Sequence, residues 1–229
     1  ILDPIPDFSF DEDAFDNTGD QILIYTVNVT DVDGPEIGYD LSSSGPNGTD
    51  ISEIQLYYDG PNIYYYGTEP NWNGIVDFTF TVQDYEGGSD SQVFTITINP
   101  VNDPPIPNGA NSLTLEDQSV VIPLTADDID SNDLIYGLDT NALNGSVSIE
   151  GNIATYTPNQ NYNGNDTFIF NVSDGEFSRP ASVDVSITPV NDAPSLILDS
   201  PSVEFNEDES ISIAFTATDI DGDELIYSC

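Results

Sequence analysis

The segment Phe78-Thr-Phe80-Thr-Val82-Gln-Asp84 recurs about 90 residues later as Phe168-Ile-Phe170-Asn-Val172-Ser-Asp174. In both copies, aromatic and aliphatic residues alternate with polar ones, which is the period of a β-strand with one face in a hydrophobic core. An Asn-aromatic-Asn-Gly turn precedes each copy, at residues 71–74 and 161–164. The repeated turn and strand predict successive copies of one β-rich unit, with Trp72 and Tyr162 plugging the corner of each core.

Other segments show the same alternation, and none has helical periodicity. Gly, Pro, Asn and Asp separate them, and these residues favour turns. The further predicted strands are Leu23–Val29, Val93–Ile98, Val120–Leu124, Val183–Ile187 and Ile211–Phe215. We therefore predict an all-β protein built from tandem Ig-like, antiparallel β-sandwiches in a linear array.

Proline-containing motifs divide the chain into repeats. Two near-copies of one motif are Pro100-Val-Asn-Asp103-Pro104 and Pro189-Val-Asn-Asp192-Ala-Pro194. Proline fixes φ and cannot donate to a sheet, so both motifs indicate short, stiff linkers. The predicted domains are a first repeat at residues 1–103, a second at residues 104–192, and an incomplete third at residues 193–229 that holds only the first strands.

The chain carries 42 acidic residues and one basic residue, Arg179, for a formal net charge of −41. Binding to nucleic acid or to an anionic membrane surface requires Lys and Arg, so both are excluded as partners. The apolar runs are too short for membrane insertion within this segment. A compact chain with this charge repels itself unless counterions bind to it.

The composition also removes most catalytic chemistry. With no His and no Lys, a Ser-His-Asp triad, a Cys-His pair, a Schiff base and a His-ligated zinc site are impossible. Paired carboxylates would suffice for a glycosidase, but acids that recur in register with a repeat are more typical of metal ligands. Cys229 is the single cysteine, so no disulfide can form within the chain. We expect a protein that is not an enzyme.

Acidic residues recur at fixed places in each repeat. Every repeat opens with an acidic pair, at Glu12-Asp13, Glu116-Asp117 and Glu207-Asp208. The apolar run that follows ends in an Asp-x-Asp motif, at Asp31-Val-Asp33, Asp128-Ile-Asp130 and Asp219-Ile-Asp221. At a strand end both carboxylates of such a motif would lie on one face, about 7 Å apart. The pattern indicates sites for a hard divalent cation, above all Ca²⁺; a metal-free β-turn is the alternative.

Together with the linker Asn-Asp, these motifs resemble those of tandem cadherin-like repeats in large bacterial surface and secreted proteins. In cadherins, a Glu of the first strand, a D-x-N-D-N linker, a D-x-D pair and an A-x-D motif share calcium between neighbouring domains. The resemblance covers essentially the whole chain, although the linker here is V-N-D-P. It implies about one or two Ca²⁺ ions per junction.

The resemblance implies three sets of calcium ligands. The set at the first junction is Glu12, Asn102, Asp103, Asp128, Asp130 and Asp174. The set at the second junction is Glu116, Asn191, Asp192, Asp219 and Asp221. The downstream half of an upstream junction is matched by Asp3, Asp31, Asp33 and Asp84.

The expected function is that of a calcium-rigidified, extracellular structural or adhesion segment of a surface protein or fibre. Its expected partners are calcium, neighbouring repeats or other copies of the chain, and glycans or surface proteins. One alternative is a self-assembling filament subunit, in which strands of the incomplete third repeat pair with another chain. Another is a carbohydrate-binding module, because a strand buries alternate residues and the clusters Tyr57-Tyr58 and Tyr64-Tyr65-Tyr66 must expose some rings.

Overall fold

The computed structural model describes residues 1–14, 22–31, 37–44, 54–68, 71–198, 202 and 204–228. Every regular element in these residues is a β-strand, which confirms the predicted all-β class. The chain divides into two compact units, Ile1–Asn102 and Asp103–Cys229. Asp33 and Cys229 lie outside the described residues. Within the described ranges, no helix is long and apolar enough to cross a membrane.

The first unit is a sandwich of two sheets. Its strands are β1 (Phe8–Asp11), β2 (Ile22–Thr26), β3 (Ile37–Ser44), β4 (Ile54–Asp59), β5 (Asn62–Thr68), β6 (Gly74–Asp84) and β7 (Ser89–Asn99). One sheet has the order β1-β7-β6-β3, and the other has the order β2-β5-β4. Buried side chains of both sheets belong to one hydrophobic cluster, so the two sheets enclose a common core.

The alternation that predicted β6 also builds the core. Val76, Phe78, Phe80 and Val82 are at most 5% exposed, and the Phe78 ring stacks on Phe94 of β7 with centroids 5.7 Å apart. The polar residues between them face the other side of the sheet. The strand runs well beyond its predicted limits because its ladder with β7 extends over almost its whole length.

The second unit contains a complete sandwich and two further short strands. Its strands are β8 (Ile106–Asn108), β9 (Ala110–Leu115), β10 (Val120–Pro123), β11 (Thr125–Asp127), β12 (Ile135–Thr140), β13 (Gly145–Glu150), β14 (Ile153–Pro158), β15 (Gly164–Ser173), β16 (Ser178–Thr188), β17 (Ser195–Leu198) and β18 (Phe215–Thr218). The sheets of the sandwich are β12-β15-β16-β9, β10-β14-β13 and the pair β11-β8, and β17 pairs with β18. The β15–β16 hairpin repeats β6–β7, as the recurring segment predicts.

Two strand pairs are parallel, which differs from the purely antiparallel sheets that we expected. β1 runs parallel to β7, and β9 runs parallel to β16. In each sandwich, these are an early strand and the last one. Strands that run in the same direction place the entry and the exit of a repeat at opposite ends, which a tandem array requires. Alternation along one strand carries no information about the direction of its neighbour.

The Asn-aromatic-Asn-Gly turns close each core, as predicted. Trp72 and Tyr162 pack against the hydrophobic clusters of their own units. Asn71 and Asn161 have φ of 59° and 57°, a left-handed conformation that Asn tolerates better than most residues. A Cβ at Gly74 would lie 2.9 Å from the Trp72 ring. The turn therefore requires glycine where the ring folds back over the backbone.

The third repeat consists of β17 and β18, which pair antiparallel. The predicted strand Ile211–Phe215 is wrong for most of its length, because regular pairing begins only at Phe215. The corresponding strand of the second repeat, β10, is held by β14, and the described residues after Pro194 include no strand equivalent to β14. Ile213 and Phe215 are 49% and 48% exposed, whereas their counterparts Ile122 and Leu124 are 3% and 0% exposed.

The core of the second repeat contains a buried polar network. Asp166 is 6% exposed, and it accepts hydrogen bonds from the Tyr156 hydroxyl at 2.9 Å, the Asn144 N–H at 2.8 Å and the Leu143 N–H at 3.1 Å. Burial raises the pKa of Tyr156 above its ordinary value, and the bond to Asp166 adds to this effect. The first repeat has Val76 at the position of Asp166, so this network is particular to the second repeat.

We predict that Asp166→Val destabilises the second repeat, although it copies the residue of the first repeat. The substitution removes the acceptor of the buried Tyr156 hydroxyl and of the part-buried N–H groups of Leu143, Asn144 and Thr167, at a cost of about 3 kcal/mol. Denaturant unfolding followed by far-ultraviolet circular dichroism measures the loss, and the fluorescence of Trp72, the single Trp of the sequence, reports separately on the first repeat. Adding Tyr156→Phe removes one orphaned donor and should recover part of the loss. A single variant as stable as the parent chain would contradict this account.

Candidate metal sites at the ends of the repeats

A buried Glu at the start of each complete repeat holds the last residues of that same repeat. Glu116 is 3% exposed, its N–H donates to the Thr188 carbonyl, and its Oε1 accepts from the Val190 N–H. Glu12 makes the same contacts in the first unit, where Oε1 accepts from the Val101 N–H at 2.7 Å. These two predicted ligands therefore sit directly beside the linker segment that leaves their repeat.

The Asp-x-Asp motifs lie in turns, which corrects the prediction that both carboxylates project from one face of a strand. β11 ends at Asp127 and β18 ends at Thr218. Asp128 Oδ1 accepts from the N–H groups of Asp130 and Ser131 at 2.9 and 2.8 Å. Asp219 Oδ1 accepts from the Asp221 N–H at 3.0 Å. Asp side chains often cap their own turn in this way, and this local bonding ends the strand.

The second Asp of each motif holds the linker Asp. In the second unit, Asp130 Oδ2 accepts from the Asp103 N–H at 2.7 Å, and Asp221 Oδ2 accepts from the Asp192 N–H at 2.6 Å. The two contacts are equivalent in their repeats. Each fixes the backbone of a predicted linker ligand against the predicted Asp-x-Asp ligands of the repeat that follows.

Asp192 lies within a group of carboxylates, all in the second unit. Burial raises the pKa of the Asp192 carboxyl above its ordinary value. Nearby negative charges raise it further, and in order of effect they are those of Asp221, Asp117, Glu116 and Asp219. Three other residues of the predicted second-junction set therefore act electrostatically on the Asp192 carboxyl. Asn191 is exposed and donates to the carbonyl of Asp192.

Asp117 is a member of this group that the predicted ligand sets do not include. Its Oδ1 accepts from the Asn161 N–H at 3.0 Å, and its charge has the second-largest effect among the neighbours of Asp192. Asp117 and its third-repeat counterpart Asp208 both have positive φ, at 60° and 66°. The regular recurrence of Asp after the opening Glu was the signal that could have identified it.

Among the residues that the structure describes, the buried carboxylate oxygens without a hydrogen-bond partner include Oδ2 of Asp128 and Oδ2 of Asp192. A buried charged oxygen with no donor is costly, so native proteins pair such atoms with a donor or a metal ion. Arg179, the one cationic side chain of the sequence, donates instead to the Ser178 carbonyl. These oxygens fit a role as ligands of a cation.

Asp84 and Asp174 also occupy equivalent positions, in the hairpins after β6 and β15. Asp174 Oδ1 accepts from the N–H groups of Glu176 and Phe177 at 2.8 and 2.7 Å. Asp84 Oδ1 accepts from the N–H groups of Glu86 and Gly88 at 2.9 and 2.7 Å. Each of these predicted ligands thus has a structural role in its own turn.

The first unit brings together some of the residues predicted for the upstream set. Asp31 and Asp84 line one cavity of about 270 Å³, which Asp90 also lines. Asp90 was not predicted, and its Oδ2 accepts from the Leu2 N–H at 2.8 Å. Asp3 is exposed, and its N–H donates to the Asn28 carbonyl. In the first unit's linker, Asn102 is half-buried.

The carboxylates do not form a ready-made cage. Across the described ranges, no group of three or more His, Cys, Asp or Glu side chains is arranged so that it could hold a metal ion. The structure instead places several carboxylates around Asp192, and one oxygen of each accepts a hydrogen bond from a backbone N–H. Ca²⁺ suits such a site because it accepts irregular oxygen coordination.

Comparison with known proteins supports the repeat architecture. Residues 102–188 match the family model described as a bacterial Ig domain. The chain is 25% identical over 183 residues to the Integrin beta-like protein A of Dictyostelium discoideum, which is 69% of this chain and 9% of that protein. The chain thus spans only a small part of this relative.

Solved structures of cadherin extracellular repeats share the fold. Human CDH23 EC21-23 superposes with a TM-score of 0.54 at 18% identity, covering 93% of this chain and 77% of that one. Drosophila N-cadherin EC1-4 superposes with a TM-score of 0.52 at 16% identity, covering 82% of this chain and 48% of that one. The chain is therefore a tandem repeat protein of cadherin-like, Ig-like β-sandwiches.

Proposed function

We propose that this chain is a non-catalytic, extracellular adhesion or spacer segment whose repeat ends bind Ca²⁺ and become rigid when they do so. The observation that carries the proposal is the environment of Asp192. One of its oxygens is buried without a partner, and four other carboxylates raise its pKa together with burial. A hard cation would both coordinate the unpaired oxygen and neutralise the neighbouring negative charges.

The position of the carboxylates supports a mechanical role. The Val190 N–H is bonded to Glu116 of the second repeat, and the Asp192 N–H is bonded to Asp221 of the third. The linker backbone is therefore already hydrogen-bonded to a carboxylate of the preceding repeat and to a carboxylate of the following repeat. An ion shared by these carboxylates would tie the end of one repeat to the start of the next, and would limit rotation about the linker.

The proposed ligands at this linker are Glu116, Asn191, Asp192, Asp219 and Asp221, with Asp117 as a further anionic group. Each Asp bonded to a backbone N–H uses one oxygen for that contact and keeps the other for the ion. The side chains must draw closer around Ca²⁺ than they stand without it. We propose that the equivalent residues of the other repeat ends act in the same way; they are Glu12, Asn102, Asp103, Asp128, Asp130, Asp174, Asp3, Asp31, Asp33 and Asp84.

Calcium should stabilise the chain through these ligands. With extracellular-type affinity, Ca²⁺ at about 5 mM adds roughly 1–2 kcal/mol to the free energy of unfolding. Thermal unfolding and titration calorimetry, each with calcium and with EDTA, measure the effect. Trypsin has no usable site in this chain, because Pro180 follows Arg179, the single basic residue. A protease of broad specificity should cut residues 191–194 faster in EDTA.

The double variant Asp192→Asn, Asp219→Asn isolates the second linker, because Asn keeps the shape and the acceptor oxygen but removes the charge. It should bind fewer calcium ions, lose the calcium protection of residues 191–194, and be more stable than the parent chain in EDTA. Glu150→Gln, on the exposed end of β13, is the matched control and should change none of these. An unaltered calcium stoichiometry in the double variant would refute the site.

The pKa of Asp192 should respond to its neighbours. In EDTA, its carboxyl should titrate above the ordinary range of Asp, and Asp221→Asn should lower that pKa because it removes a negative charge. A raised folded-state pKa contributes stability below the unfolded value, and this contribution is lost as pH rises through the folded value. Carboxyl NMR titration measures the pKa directly. A pKa that Asp221→Asn leaves unchanged would show that the charges do not interact.

Strand complementation at the third repeat is a second candidate function. The observation that favours it is the half-exposed pair Ile213 and Phe215, whose counterparts Ile122 and Leu124 are buried. A β-strand of another molecule that supplied the role of β14 would bury this pair.

If that occurs between copies, the chain should associate reversibly in sedimentation velocity experiments. The double variant Ile213→Ser, Phe215→Ser should weaken the association without unfolding the first two repeats, because neither residue belongs to their cores. A parent chain that stays monomeric over the whole accessible concentration range would exclude self-complementation.

A further inference from the structure

The outer face of sheet β2-β5-β4 in the first unit carries an aromatic and aliphatic row. Cross-strand register aligns Leu23 with Tyr64 and Tyr64 with Tyr57, one residue from each strand. Leu23 is 50% exposed and Tyr57 is 45% exposed. The centroids of the two Tyr rings are 6.1 Å apart, and the rings are tilted by 37°. We call this row of three residues the tyrosine face.

The second repeat shows that the fold does not need these rings. The hairpin β13–β14 turns at Gly151 as β4–β5 turns at Gly60, with φ of 57° and 59°. Counting from these glycines, Tyr65 is equivalent to Tyr156, and both are buried in their cores. The outward positions of Tyr57 and Tyr64 are equivalent to residues 148 and 155, where the second repeat has Ser and Thr paired across the same two strands.

Polar groups flank the tyrosine face along the same sheet surface. Thr26 pairs with Asn62 in the register of β2 and β5, and its hydroxyl donates to Asn62 Oδ1 at 2.8 Å. Asp59 is exposed and pairs with Asn62 on the other side. Beside the rings, the Asn62 amide therefore offers a hydrogen-bond donor, and the Asp59 carboxylate offers two acceptor oxygens.

We propose that the tyrosine face binds neutral carbohydrate, with sugar rings packed on Tyr57 and Tyr64 and hydroxyl groups bonded to Asp59 and Asn62. The apolar face of a pyranose ring stacks well on tyrosine, and its hydroxyl groups need polar partners at the edge of the stack. The net charge of −41 repels acidic glycans, so the ligand is an uncharged oligosaccharide. This role is independent of calcium at the repeat ends.

The size of the face favours a sugar over a protein surface. Two partly exposed tyrosines and one leucine offer roughly 250 Å² of contact surface. A stable protein interface buries about 800 Å² on each partner, which is several times more. One or two sugar rings match the available surface, and they match a hydrogen-bonding edge made of a single Asp and a single Asn.

The test uses the whole chain and a panel of neutral oligosaccharides of glucose, galactose, mannose, xylose and N-acetylglucosamine, with one polyanionic glycan for comparison. Binding is measured by calorimetry and by NMR up to about 10 mM ligand, because sugar affinities are often in the millimolar range. The variant Tyr57→Ser, Tyr64→Thr installs the residues of the second repeat on the same sheet. The control is Tyr85→Ser, which removes a ring that is 82% exposed in the β6–β7 turn.

The expected result is that at least one panel member binds, that the double variant weakens its binding at least tenfold, and that Tyr85→Ser leaves it unchanged. Circular dichroism and calcium stoichiometry should be the same in all three proteins, which separates this proposal from the calcium sites. Three outcomes overturn it: no panel member binds, the double variant binds as tightly as the parent chain, or a polyanionic glycan binds more tightly than every neutral one.

Discussion

The constraint on which the second linker depends is the bonding of backbone N–H groups to carboxylates that have almost no cations to neutralise them. Glu116 accepts from Val190, and Asp221 accepts from Asp192. These contacts fix the path of the chain, but they also concentrate negative charge where the backbone leaves one repeat for the next. Hydrogen bonds therefore hold the linker backbone at the same place where electrostatic repulsion between carboxylates opposes it, and this is the reason that we propose a cation there.

Much of the fold could be predicted because its strongest signal is local. The alternation in β6 and β15 identified the central strands, and the turn before each identified Trp72 and Tyr162 as core residues. The strand expected at residues 211–215 failed because alternation states only that one face is apolar, not that a partner strand is present to hold it. The parallel pairing of β1 with β7 was also beyond the reach of a periodicity argument.

The candidate site was predicted in its residue types more than in its geometry. Recurrence predicted Glu116, Asp192, Asp219 and Asp221 as ligands, and in the structure the charges of the other three act on the Asp192 carboxyl. It did not show that each Asp-x-Asp motif turns on itself, because an Asp at a strand end can bond to its own backbone instead of continuing the ladder. Asp117 was missed because strand alternation predicts that a residue next to a buried Glu faces outward. The contact of Asp117 with the Asn161 N–H depends on tertiary packing, which the sequence pattern does not show.

The parallel pairing of an early strand with the last strand of each sandwich has a consequence for a chain that is pulled from its two ends. In the first unit, β1 and β7 are joined over four residues, from Phe8 opposite Ile96 to Asp11 opposite Asn99. Tension applied along the array slides these two strands past one another, so their hydrogen bonds bear the load simultaneously and cannot be peeled apart one after another. Each sandwich thus contains one parallel strand pair whose hydrogen bonds would be loaded in shear.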